Sequence, residues 1–289
     1  MIRAGQYWVP PGSSRGNLRG TSSFRRTALG TVGSLGFFFL LFSPGGLPLL
    51  PCGTAAEPEQ RTDAPYSPKG LFLATSASLK PDWPSQFLPP ISAKLATRTH
   101  LALALGSVLA EGYMAAQAED PQHTRNLNKD LLQIAKPLGL HTELLERSKS
   151  LTESAEKRAW STVGRELEGT EADVLRILRQ NKDDELILLV RIGAWVRATE
   201  AVSQLIASHY NRNAADLLHH GEMARSFSSS VESLSPQTRE DPLVAAIYPR
   251  LTDLSRLLQG PKETPPTDEE IKAYAQTARS VLHDILSKP

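Results

Sequence analysis

Glu111 is the residue of this sequence whose type and surroundings most favour chemistry. Residues 101–118 read LALALGSVLAEGYMAAQA, and Glu111 is the only charged residue among them. A helix of this composition is apolar on nearly every face and must be surrounded by other helices. A carboxylate inside it needs a buried partner, because an unpaired charge in a dry core becomes neutral or costs several kcal/mol. We therefore expect a cation to face Glu111.

Arg191, in a second apolar stretch, is the predicted partner of Glu111. Residues 183–210 read DDELILLVRIGAWVRATEAVSQLIASHY, and helical spacing places Arg191 on the face with the apolar and small residues. Arg197 and Glu200 fall on a more polar side. Two interpretations of Glu111 and Arg191 stay open. The favoured one is a structural ion pair, and the alternative is the floor of a ligand-binding pocket between the two helices.

Other residue types that carry chemistry are sparse or poorly spaced. The only cysteine is Cys52, and the seven histidines lack the Glu-x-x-His spacing of dimetal bundles. The chain contains no Walker loop, dinucleotide-binding fingerprint or His-Glu-x-x-His. The sequence therefore predicts no catalytic residue, no metal and no cofactor, and an enzyme of unrecognised type is the weaker alternative.

The two apolar stretches define the expected fold. Each carries a stripe of small side chains along which a second backbone can approach closely, at Ala102, Gly106 and Ala110 and at Ala194, Ala198 and Ala201. Ala and Leu are frequent and β-branched alternation is scarce. We predict an all-α bundle of six to eight helices, built around long apolar helices at residues 101–118 and 186–207.

Shorter helices are expected around this pair. Apolar periodicity and helix-stop residues predict them after Pro121, from Thr142, over residues 159–180, over 211–234 with a break at Gly221, and over 241–258. Short links make consecutive helices antiparallel neighbours. Residues 267–287 are expected to form a loosely docked terminal helix.

The first 56 residues have the order of an export signal. They hold five arginines and no acidic residue, followed by the uncharged run TALGTVGSLGFFFLLF and then by SPGGLPLLPCGTAA. This order predicts a signal peptide that is cut after Ala56. Two alternatives stay open: a lipoprotein signal acylated at Cys52, although Pro51 is unusual before such a cysteine, and an uncleaved N-terminal membrane anchor.

A linker and an acidic body are expected to follow. Residues 57–90 contain seven prolines, which predicts an extended Pro-rich linker before a helical domain at residues 91–289. With five basic residues in the first 56, the remainder holds 27 basic and 31 acidic residues. A segment with a net negative charge and no run of Lys or Arg lacks the positive surface that a nucleic-acid binder needs.

Three segments carry a resemblance. LALALGSVLAEGYMAAQAED, AWSTVGRELEGTEADV and RIGAWVRATEAVSQ resemble an uncharacterised set of exported bacterial helical proteins, over residues 97–251. The resemblance implies an exported, helical, bacterial protein and brings no activity or site residue. We predict a periplasmic or secreted, non-catalytic protein with a binding or scaffold role in the cell envelope. Its ligand is an unidentified protein partner or small molecule, and it touches a membrane only through its N-terminal segment.

Overall fold

Helices make up the fold, as predicted. The computed structural model describes residues 67–91, 97–219, 221–257 and 264–287, and this part of the chain contains no strand. The predicted export signal, Cys52 and the start of the predicted linker lie outside the described residues. The described part contains eleven α-helices, more than the six to eight expected: α1 Pro68–Ser78, α2 Arg98–Gln117, α3 Pro121–Ala135, α4 His141–Glu156, α5 Trp160–Gln180, α6 Asp184–Ser208, α7 Arg212–Ala215, α8 Gly221–Glu232, α9 Pro236–Arg239, α10 Pro242–Leu257 and α11 Asp268–Leu286.

The most extensive helix contact is between α2 and α6. A Cβ atom added at Gly106 would lie 1.9 Å from the carbonyl oxygen of Val190, and one added at Gly193 would lie 1.9 Å from that of Leu103. The two backbones therefore touch, and neither glycine has room for a methyl group. Gly106 belongs to the predicted stripe of small residues on α2, whereas on α6 the contact falls at Gly193, just before the predicted stripe.

The two helices run in parallel. An ion pair joins Arg98 to Asp183 where both helices begin, and a second joins Glu111 to Arg197 towards their C-terminal halves. Three helices, α3, α4 and α5, lie between them, and the four links from α2 to α6 each reverse the chain, so that α6 again runs in the direction of α2. Every residue of α2 from His100 to Ala115 is buried. In the described part of the chain, no helix has both the length and the apolar character needed to cross a membrane.

The extended linker predicted over residues 57–90 is wrong in its second half, which folds as part of the body. Ser67 caps α1 by accepting a hydrogen bond from the backbone N–H of Gly70, and Pro68 occupies the first turn, where its missing N–H costs nothing. Phe72 is fully buried and meets the ring of Trp83 edge-on at 5.3 Å. The prolines lie on either side of the run 69–80 rather than within it, so they bound a helix instead of preventing one.

The loosely docked terminal helix predicted at residues 267–287 is also wrong. α11 begins with a capping box between Thr267 and Glu270, and its contact with α6 is the second most extensive in the fold. His100 Nε2 lies 2.7 Å from the carbonyl oxygen of Ile285, which ties the end of α11 to the start of α2. One face of α11 is buried: Ile271, Tyr274, Ala275, Ala278, Val281, Leu282 and Ile285. The helix is an integral part of the core.

Candidate functional site

Glu111 lies at the centre of a buried group of polar residues. Its side chain is completely buried and accepts three hydrogen bonds, from the backbone N–H of Leu88 at 2.9 Å, from His123 Nε2 at 3.0 Å and from Arg197 Nε at 2.6 Å. Because a carboxylate only accepts, His123 presents an Nε2–H to it. The α2 carboxylate is therefore joined to α3, to α6 and to the segment that precedes α2.

Arg197 supplies the positive charge of this group. It is completely buried, and it donates to Glu111, to Glu200 and to the carbonyl oxygen of Gln86. Glu200 also accepts from Arg279 Nε at 3.2 Å, and the Arg279 side chain reaches solvent. We call Glu111, His123, Arg197 and Glu200 the buried polar cluster. Ion pairs therefore run without interruption from Arg279 at the protein surface, through Glu200 and Arg197, to Glu111 in the middle of α2.

The electrostatics of the cluster keep Glu111 ionised. Burial alone would raise the pKa of the Glu111 carboxyl, but the charge of Arg197 opposes burial, and hydrogen bonds from His123, Leu88 and Arg197 add to its effect. The pKa of Glu111 consequently lies below its ordinary value of 4.5. A carboxylate held ionised in this way stabilises the fold and is poorly suited to donate a proton near neutral pH.

The structure corrects the predicted partner of Glu111. Arg191 is not bonded to Glu111; it lies near Glu171 on α5 and is partly exposed. Arg197, which the sequence pattern assigned to a polar side, is the cation that reaches Glu111. The reason is the direction of α6. Gly106 and Gly193 lie at the contact of the two parallel helices, and Glu111 follows Gly106 along α2. Its partner must therefore follow Gly193 along α6, as Arg197 does four residues later, whereas Arg191 lies two residues before Gly193.

The segment between α1 and α2 covers the cluster with its backbone. Gln86 offers its carbonyl oxygen to Arg197, and Leu88 offers its N–H to Glu111. Between them, the ring of Phe87 stacks on His123 with 3.7 Å between ring centroids and 9° between planes. Ile91 then donates its N–H to Asp130 at 3.2 Å. The chain itself therefore occupies the side from which a ligand would approach Glu111.

A second polar group, around Arg191, lies on the α5 side of α2. The Tyr113 hydroxyl donates to Glu171 at 2.8 Å. Burial raises the pKa of both groups, the nearby Glu171 charge raises that of Tyr113 further, and the Arg191 charge offsets part of the shift at Glu171. Lys69 on α1 pairs with Glu168 beside them. Every charge here also has a partner within the chain.

Two buried polar atoms of α6 have no such partner. Trp195 Nε1 and Thr199 Oγ1 find no hydrogen-bond partner among the described residues. The two residues are four positions apart and so share a face of α6. The ring of Trp195 rests against Phe227 of α8 at 5.5 Å. They mark the place where the polar core is least well satisfied.

A surface groove lies between α3 and α4, on the other side of α3 from the cluster. It has a volume of about 540 Å³. Asn128 fixes its floor by donating from Nδ2 to the Ser148 carbonyl oxygen and to Thr152 Oγ1, both at 2.8 Å. The lining residues are Arg125, Asn128, Lys129, Leu132, Gln133, Lys136, His141 and Thr152, and no carboxylate is among them. We call this the α3–α4 groove.

Within the described ranges, no three His, Cys, Asp or Glu side chains come together in a way that could hold a metal ion. Comparison with known proteins adds no relative: no family model matches the chain, and neither a curated protein nor a solved structure is significantly similar to it. The residues and contacts of the chain are therefore the basis for inferring its function.

Proposed function

We propose that this chain is an exported, non-catalytic helical protein that acts in the cell envelope by binding a protein partner at its surface. In this proposal the bundle is organised around α2 and α6, and their polar residues hold the fold together. The functional contacts are then made by the outer helices.

The observation that supports this proposal is that the residues of the buried polar cluster are hydrogen-bonded to groups of the chain itself. Glu111 has three hydrogen-bond donors and Arg197 has three oxygen partners, all from the chain itself. A catalytic or ligand-binding group must instead keep a donor, an acceptor or a charge available to a second molecule. The α2 and α6 backbones also touch at Gly106, which leaves no room for a small ligand between them. The alternative of a small-ligand pocket at Glu111 thus loses its geometric basis.

Export is supported by the order of the first 56 residues, which carry five arginines, an uncharged run and a small-residue end, with no acid. The intact mass of protein purified from its native host tests this part. A mass that begins at Glu57 supports a cleaved signal peptide, and a lipid-modified mass that begins at Cys52 supports the lipoprotein alternative. A mass that begins at Met1 contradicts both.

Partner binding is tested by placing a photo-crosslinking amino acid at single surface positions in living cells. Suitable positions are the three large apolar residues that are most exposed in the described part, Leu73 at 46%, Leu145 at 43% and Tyr210 at 42%, together with Lys129 in the groove. We expect one protein to be crosslinked from neighbouring positions and not from the others. Absence of a protein crosslink at all positions would contradict the proposed function.

A further inference from the structure

Part of the positive charge of the α3–α4 groove has no ion-pair partner in the part of the chain that the structure describes. Arg125 is bonded to Glu156 at 3.2 Å and to Gln122 at 2.6 Å. Lys129 and Lys136 are exposed and make no ion pair within the described residues. Asp130, the next residue in the chain, interacts with the charge of Lys129 without forming an ion pair, and it accepts the backbone N–H of Ile91. Two lysines of the groove are therefore available to a second molecule.

An apolar surface lies between and beside these lysines. Leu132 is partly exposed and lines the groove between Lys129 and Lys136. On the facing helix, Leu145 lies one turn after His141 on the same face, and it is 43% exposed. Cations at both ends of an apolar strip are complementary to a partner with acids at both ends of an apolar strip.

We propose that the α3–α4 groove binds an acidic amphipathic helix of a protein partner. The helix would place two carboxylates, seven residues apart, on Lys129 and Lys136, and an apolar side chain between them on Leu132. This inference rests on the proposed function and names the partner's chemistry.

The spacing of the lysines favours a helix over an extended peptide. Seven residues of α3 correspond to about 10.5 Å along the helix axis. Carboxylates seven residues apart on a partner helix repeat this distance on one face. In an extended strand, side chains on one face are about 6.6 or 13 Å apart, and neither distance matches the spacing of the two lysines.

Carboxylates also fit the groove better than phosphates do. The planar guanidinium of Arg125, which is the group best shaped for phosphate, is already occupied by Glu156 and Gln122. The chain after residue 56 has more acidic than basic residues, which disfavours a polyanion such as nucleic acid. A short acidic segment places its charges only where the lysines are.

The direct test measures binding of a synthetic helix to the purified full chain by fluorescence anisotropy. The probe is a labelled Ala-rich peptide of about 15 residues, with two glutamates seven positions apart and leucines midway between them. We expect K129E/K136E to bind it about tenfold more weakly than the wild type. The control K80E/K182E changes the net charge equally at exposed lysines outside the groove and should stay within about twofold.

A charge-swapped peptide makes the test specific. With lysines in place of its glutamates, the peptide should bind K129E/K136E more tightly than it binds the wild type. Thermal unfolding of each variant establishes that the fold is retained. Equal binding of the acidic peptide by wild type and K129E/K136E, or no binding by the wild type, would overturn the proposal. So would loss of phosphatidylglycerol-vesicle binding in K129E/K136E without any peptide binding, because it would make the groove a membrane-facing surface.

Failure of the groove and failure of the proposed function give different results. If crosslinks in cells form at Leu73 or Tyr210 and not at Lys129, the protein binds a partner elsewhere and the groove proposal is wrong. If the peptide binds the groove in solution but no protein is crosslinked at any position, the groove chemistry is correct and the proposed function is wrong.

Discussion

Helix α3 separates two charged regions that differ in how their charges are satisfied. On its inner side His123 belongs to the buried polar cluster, where Glu111 and Arg197 are completely buried and fully hydrogen-bonded. On its outer side Lys129 and Lys136 line a groove that contains no carboxylate. The same helix thus contributes to one group of charges that are paired with each other and to another group that has no ion-pair partner among the described residues.

This difference indicates what each region can do. Buried charges that are paired within the chain resist separation, because removing one partner leaves the other uncompensated in a dry core. Exposed, unpaired charges contribute little to folding and remain available to steer and orient another molecule. The cluster should therefore govern stability, and the groove should govern binding.

Loss of Arg197 should have the largest effect. Arg197→Met keeps most of the side-chain volume but leaves Glu111 and Glu200 buried without their common cation. We expect the free energy of unfolding to fall by about 3–5 kcal/mol. Urea unfolding followed by circular dichroism measures it, and Arg191→Met, at a partly exposed position, is the matched control. Equal losses in the two variants would contradict the assignment of Arg197 as the partner of Glu111.

Separation of α2 from α6 should have the next largest effect. Gly106→Ala places a Cβ atom against the Val190 carbonyl oxygen, so the helices must move apart and the cluster must open; we expect a loss of about 3 kcal/mol. Gly164→Ala is the control, because a Cβ atom on α5 at that position meets nothing within 4 Å. It should gain about 0.5–1 kcal/mol from higher helix propensity. A neutral Gly106→Ala variant would refute the close contact of the two helices.

Substitution of Thr199 should have a smaller effect and should raise the stability of the fold. Its hydroxyl is buried and has no hydrogen-bond partner among the residues that the structure describes, so Thr199→Val removes an unsatisfied group and keeps the shape of the side chain. We expect the thermal midpoint to rise, by an amount corresponding to about 1 kcal/mol. Ser203→Ala is the comparison, since that hydroxyl donates to the Thr199 carbonyl oxygen. A loss of stability in Thr199→Val would show that a partner of the hydroxyl has been missed.

Reversal of the groove charges should change stability least. Lys129 and Lys136 are exposed, and only Lys136 interacts with a helix end, as the residue that caps α3. We therefore expect K129E/K136E to lose less than about 1 kcal/mol. Its unfolding midpoint is to be compared with that of K80E/K182E. A large loss of stability in K129E/K136E alone would show that the groove, like the cluster, has a structural role.

The sequence predicted the fold class and the need for a buried partner, because both follow from composition and periodicity. The buried carboxylate of Glu111 required a cation, and the α6 stretch supplied it. The choice of Arg191 over Arg197 was wrong because the apolar pattern of one helix shows which residues share a face, but not whether a neighbouring helix runs parallel or antiparallel to it. The antiparallel links expected for α3, α4 and α5 already implied that α6 runs parallel to α2. The alignment of Gly106 with Gly193 would then have pointed to Arg197.

Other parts of the structure depended on contacts that the sequence does not display. Proline content suggested a linker where Pro68 begins a helix, because the position of a proline relative to a helix matters more than its frequency. His123 and the backbone of Gln86 and Leu88 joined the cluster through tertiary contacts alone. The groove needed the pairing of α3 with α4, which places residues 125–136 and 141–152 side by side.

The most direct test of the central claim, that the buried polar cluster is structural, is urea unfolding of Glu111→Gln from about pH 7 to pH 3. Because the pKa of Glu111 is lowered in the folded state, its charge stabilises above the ordinary value of 4.5 and ceases to do so as pH falls through the folded pKa. Glu171→Gln is the control of opposite sign, since burial raises the pKa of Glu171 and its ionised form opposes folding near neutral pH. We predict that Glu111→Gln loses about 2 kcal/mol near pH 7, that this loss shrinks in acid, and that Glu171→Gln loses nothing near pH 7. A Glu111→Gln protein as stable as the wild type near pH 7 would contradict the structural role of the cluster.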